Sequence, residues 1–284
     1  MQTRNPVLNR ITKESPSSGG TGFAYDEGRS AYQQAATAPG ATGALSSTQG
    51  FGPGATGAAV TVNDVIVKTS INLAVLIVAA VIGWQLTPSV PWLWIVAMFV
   101  GLGLALANIF MKQVKPGLVL AYAFAEGIFL GGISLFYDTL VRQEAQYEGL
   151  VSQAIIGTLV AFGVMLALYS GRIIKVNGTF MKVMAVAMVS YLLIAVVSFV
   201  AALFGVGGGW GFYGVGTLGL LLCAFGVLLA AFTLNLDFEA IKQGVAQGLP
   251  ERESWRMSFG LLVTLIWLYL EILRLLAILA LSRD

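Results

Sequence analysis

Three acidic residues of this 284-residue chain stand inside long apolar runs: Glu126 in YAFAEGIFLGG, Asp237 in FTLNLDFEAI and Glu271 in IWLYLEILRLL. The remainder of its fourteen Asp and Glu residues fall in a polar N-terminal stretch, in connecting segments or at the ends of apolar runs. A charge inside hydrocarbon costs from roughly 3 to more than 10 kcal/mol, depending on the reference state, and such residues usually mark ion or proton pathways. Two carboxylates brought together at low dielectric cannot both ionise easily, and the pair can share a proton near neutral pH. The same oxygens suit a hard divalent cation such as calcium. Proton and cation then compete for one place, which is a pH-gated cation path in outline.

Helical spacing gives these acids a direction. Positions 267, 268, 271, 274, 275 and 278 form one stripe, so Arg274 shares a face with Glu271. A purely structural role, a neutralised Glu271–Arg274 pair that locks the last helix, is the competing reading. Asn235 adds polarity beside Asp237, whereas Glu239 and Lys242 are spaced as a surface pair at the water boundary. Asp237 and Glu271 lie on consecutive, antiparallel runs, each about 10–20 Å from the same boundary at 1.5 Å per residue, so the two can meet.

The elements that must hold them are read from hydropathy. The chain is 57% hydrophobic and 11% charged, with a mean hydropathy of +0.82, far from the balance of a soluble domain. Apolar runs occupy roughly 66–86, 90–111, 117–137, 150–170, 180–204, 214–241 and 257–281, each of the length a helix needs to cross a bilayer. Segments such as TPSVP, KQVKP, DTLVRQEAQYEG, GRIIKVNGT, GVGGGWGFY and QGVAQGLPERES separate them. The expected fold is an all-α membrane protein, a seven-transmembrane-helix bundle over residues 61–284. Residues 1–60 are poor in large aliphatic side chains and carry PGATGA twice, and this composition predicts a disordered tail. Lys and Arg near the alternating ends number nine on one side against two on the other. That bias places the tail in the cytoplasm and the C-terminus outside.

Several other chemistries are excluded. The chain has no histidine, which removes imidazole ligands and bases. Cys223 is the lone cysteine and reads as a packing residue. Gly209, Gly211 and Gly214 fit a dinucleotide fingerprint by spacing alone, with no strand before them. A net charge of +2 without a basic patch gives no nucleic-acid partner. No nucleophile–base set exists, so the chain reads as a non-enzyme with no cofactor.

LDFEAIKQG followed by LLVTLIWLYLEILRLL resembles the last two spans of the Bax inhibitor/YccA family. KPGLVLAYAFAEGIFLGGISLFYDTL and the opening NPVLNR look like its bacterial branch with a long N-terminal tail, and the resemblance covers about residues 60–284. It implies a seven-helix inner-membrane protein with a central seventh helix that acts as a pH-sensitive calcium leak. Two acids, one on each of the last two spans, would form its proton-sensitive pair; by position these are Asp237 and Glu271. The second acid is Glu where the family usually carries Asp, one methylene longer. Members with a glutamate on the second span have no counterpart here, and Glu126, one span later, is the candidate to line the path. A basic latch at the end of the second span corresponds loosely to Lys112 or Lys115.

Two further readings stand beside the leak. Some bacterial relatives are thought to bind a membrane-embedded protease, which makes a regulatory interaction protein, with the tail as its handle, the alternative. A proton-coupled transporter would also use buried acids, although no inverted repeat is visible.

Overall fold

The computed structural model describes residues 58–282, so the disorder expected for residues 1–57 lies outside the described residues. Seven long helices follow: α1 (Val62–Leu86), α2 (Leu93–Phe110), α3 (Pro116–Ala145), α4 (Leu150–Ser170), α5 (Gly178–Leu203), α6 (Thr217–Ala246) and α7 (Glu253–Leu281). All seven are long and apolar enough to cross a membrane. Among the described residues the only β pairing is an isolated bridge between Ala59 and Pro250. Two short 3-10 turns, Val206–Gly209 and Gly211–Tyr213, link α5 to α6.

Local chemistry sets several of the ends. Thr61 caps α1 with its hydroxyl on the Asp64 amide, while the Asp64 carboxylate accepts from the Thr61 amide, a reciprocal capping box. Pro116 opens α3 at a position where its missing N–H is not needed. Asn177 caps α5 through a 2.7 Å bond from the Phe180 amide. α3 extends eight residues past the expected 137, because Asp138 pairs with Arg142 one turn on, at 2.7 Å, within continuous helix. Much of the segment expected as a loop is thus helical.

α7 is the central helix, packed against α1, α3, α4 and α6. Large apolar side chains such as Phe99, Val160 and Leu193 on α2, α4 and α5 stay about 60% exposed, as a lipid-facing belt requires. Lipid supplies no hydrophobic drive between helices, so close backbone packing takes its place. Gly127 and Gly131 on α3 lie directly on the backbone of α1 at Leu76 and Ala80, and Gly83 on α1 lies on Ile128 of α3.

A polar clamp closes the end of the bundle that carries the α6–α7 turn. Lys68 on α1 donates to Glu251 (3.0 Å) and Ser254 (2.6 Å), and its ammonium lies over the Trp255 ring. One turn deeper the fully buried Asn72 donates to Ser258 at 2.8 Å. Residues 58–60, placed in the tail by composition, belong to this clamp. Val60 is 2% exposed and its amide bonds to Leu249, while the Glu251 amide bonds to Ala58.

A side chain at Gly131 would overlap the Ala80 carbonyl, whereas Gly103 on α2 has open space around it. Gly131→Val is expected to destabilise the bundle by about 1–3 kcal/mol or more, and Gly103→Ala to leave it unchanged. Thermal unfolding in detergent reads the difference; equal melting of the two variants would contradict the α1–α3 contact.

Candidate functional site

Glu271 points into the bundle and is 4% exposed. Its Oε1 accepts two hydrogen bonds, from the Tyr191 hydroxyl on α5 at 2.8 Å and from the Trp267 indole one turn back on α7 at 3.2 Å. Oε2 has no hydrogen-bond partner, and its nearest cation is Arg274, whose Nη1 stands 3.9 Å away. Opposite, α6 presents Gly226, where a Cβ would come within 2.8 Å of the carboxylate carbon and of Oε2. The glycine leaves room for the carboxylate. The sequence stripe therefore faces inward, and Glu271 and Arg274 do lie side by side.

Asp237 occupies a different level of the same seam. Its Oδ2 is buried without a partner, and its Oδ1 lies 3.8 Å from where a Cβ on Gly260 of α7 would stand, with Thr264 one turn further along. The structure does not bring Asp237 and Glu271 into contact, contrary to the expected pair. Asp237 stands nine residues before the end of α6, and Glu271 eighteen residues after the start of α7. With a short turn between the helices, that difference offsets them by roughly 13 Å along the seam. Asn235 is fully buried, donates weakly to the Phe232 carbonyl at 3.5 Å, and leaves its Oδ1 unpartnered.

The remaining candidates lie elsewhere. Glu126 faces Gly101 of α2, where a Cβ would sit 2.6 Å from its Oε1, so it belongs to the α2–α3 contact and not to the α6–α7 seam. Lys112 and Lys115 are exposed on the α2–α3 connection, and among the described residues neither forms an ion pair. The basic latch expected from Lys112 or Lys115 thus has no acidic partner among the described residues. The backbone of that connection is held instead by Arg256 of α7, which donates to the Met111 and Lys112 carbonyls at 3.3 and 3.0 Å.

Other participants come from the structure alone. Tyr191 is separated from Glu271 by 80 residues and carries no local signal. Trp267 could be found, since it lies four residues before Glu271 on the inward stripe. Tyr213, in the 3-10 turn, takes the Arg274 guanidinium over its ring at 4.8 Å, a cation–π contact. Among the described residues no three acidic or thiol side chains converge to form a resident metal site. What the arrangement offers is a series of buried oxygen acceptors, two of them carboxylate, along one helix seam.

Compared with known families, the chain matches the model described as Bax inhibitor 1 like over residues 5–281. No curated protein matches it.

Tyr191→Phe removes one of the two donors to Glu271, so a loss of about 1–3 kcal/mol in stability is expected. Tyr147→Phe, whose hydroxyl bonds to Gln153 at the exposed surface, should cost far less. Melting temperatures in detergent compare the two directly; an unaffected Tyr191→Phe would mean that the carboxylate does not depend on that hydroxyl.

Proposed function

The chain belongs to the Bax inhibitor 1 like family, and from that premise we propose that this integral membrane protein lets a cation leak down its gradient under the control of proton occupancy at Asp237 and Glu271. Calcium is the cargo that the donor set suits, because hard divalent cations take carboxylate and carbonyl oxygens.

The observation that carries the reading is the pair of buried, unpartnered carboxylate oxygens, Asp237 Oδ2 and Glu271 Oε2, on the same α6–α7 seam. Buried polar atoms are almost always bonded, and an unmet carboxylate oxygen in a membrane-crossing helix is a strong acceptor for a proton or a cation. The offset between them makes two successive stations along a path. Protonation at either station removes the charge that attracts a cation there. Multiple sites of moderate strength also allow an ion to enter and leave. Lys and Arg counts set the direction: the α6–α7 turn faces the cytoplasm and the C-terminal end of α7 faces outward, across the plasma (inner) membrane.

The test is calcium flux into liposomes holding purified protein, with an indicator inside, across about pH 5.5 to 8, a span on either side of neutrality. Wild type is expected to show a pH-dependent leak. Asp237→Asn and Glu271→Gln hold each station uncharged at every pH, so each should alter the flux and flatten its pH profile. Flux indistinguishable from empty liposomes in folded wild-type protein, or a profile untouched by both substitutions, would overturn the proposal.

A further inference from the structure

Between the C-terminal ends of α3 and α7 lies a cavity of about 370 Å³, room for about a dozen waters at liquid density. Its walls include Tyr137 and Leu140 of α3, Trp210 and Tyr213 of the 3-10 turns, and Glu144. On α7 the lining runs from Leu281 inward to Arg274 and stops there. Glu271, one turn deeper, does not line it. Arg274 is the boundary in the exposures as well: its side chain is 30% exposed, against 5% for Glu271.

The guanidinium makes no close ion pair: its distance to Glu271 is 3.9 Å, beyond a hydrogen bond, and the Tyr137 side chain of α3 stands beside it. The guanidinium also lies over the Tyr213 ring at 4.8 Å. Tyr213 itself is carried on a turn tied to α5 through the Phe212 amide and the Ser198 hydroxyl at 2.8 Å. Cys223 of α6, with no exposed surface and no place in the cavity lining, lies against Arg274.

We propose that Arg274 is the outer gate of the seam: resting on Tyr213, it closes the floor of this vestibule and separates the water outside from the Glu271 carboxylate. A fixed guanidinium in a narrow path repels cations as well as blocking it. Release from the Tyr213 ring, with the side chain swung into the vestibule, opens both barriers at once. The purpose of the gate rests on the cation-leak reading; its geometry does not.

The chain's single cysteine makes the gate measurable without ion flux. Full-length protein in lipid nanodiscs is treated with a charged methanethiosulfonate, and modification is followed by mass. A cysteine placed at Leu140 in a Cys223→Ala background should react readily, showing that the vestibule is aqueous; an unreactive one overturns the proposal. Wild-type Cys223 should remain unmodified. In Arg274→Gln its reaction should speed up about tenfold or more, as a thiol passes from buried to water-accessible. Tyr213→Leu, which keeps the arginine and removes its rest, should give a smaller rise and carries the test if Arg274→Gln does not fold. Cys223 reacting no faster than wild type in folded protein of either variant overturns the gate. In liposomes Arg274→Gln should also raise calcium leak; faster Cys223 modification with no flux upholds the gate and removes the cation-leak reading.

Discussion

Placing the Glu271 carboxylate inside α7 demands donors from outside its own backbone, since every backbone N–H around it is already spent on the helix. The surrounding structure answers that demand piece by piece. Trp267 supplies one donor from the preceding turn and Tyr191 supplies another from α5. Gly226, with no side chain, lets α6 close over the group. Arg274 supplies positive charge within 3.9 Å, and Tyr213 holds that charge in place from the turn between α5 and α6. Removing one partner from such a set leaves a buried group uncompensated, which costs more than the contact itself contributed. α5, otherwise a mostly lipid-exposed helix, is tied to the core at this level largely because Tyr191 reaches Glu271.

The two sides of α7 are built on different physics. On one side, α1 and α3 meet each other backbone to backbone at Gly83, Gly127 and Gly131, and the Lys68–Glu251–Ser254 and Asn72–Ser258 contacts fasten α1 to the start of α7, with Thr69 Oγ1 and Asn72 Oδ1 left unmet. Toward α6 the contact is interrupted by polar side chains whose acceptors are only partly met: Asp237, Asn235 and Glu271. A close-packed face resists sliding, because interiors at that density have few alternative arrangements. A seam with unmet acceptors has less to lose when its groups change partners. In this architecture α1 and α3 form the frame, and the α6–α7 seam carries the unpartnered carboxylate oxygens on which the proposed leak would depend.

Much of this frame was legible in residue types. Length and hydropathy located all seven helices to within a few residues at most ends, and the inward stripe on α7 correctly put Arg274 and Trp267 on the face of Glu271. α3 continues through the polar stretch that begins at Asp138 because Asp138 and Arg142 are spaced to pair within a helix, a signal that hydropathy does not register. The contact between Asp237 and Glu271 failed on register. Consecutive antiparallel runs put the two acids on one seam, but they stand nine and eighteen residues from the turn when counted from the helix ends at Ala246 and Glu253, which keeps them at different levels. Tyr191, Tyr213 and Gly226 were beyond reach, since each meets Glu271 or Arg274 through tertiary packing with no periodic signature. Glu126 was legible as an intramembrane acid but not as a partner of α2, because hydropathy says nothing about which neighbour a helix face meets.

The proposed leak requires Glu271 to exchange a proton within the bundle, and infrared difference spectroscopy of the membrane-embedded protein between acidic and neutral pH observes that exchange directly. The expected result is a protonated-carboxyl stretching band that appears on acidification, is absent in Glu271→Gln, and is shifted by Tyr191→Phe through the loss of its hydrogen bond to Oε1. A spectrum unchanged by Glu271→Gln would contradict it, leaving Glu271 and Arg274 as a fixed structural pair.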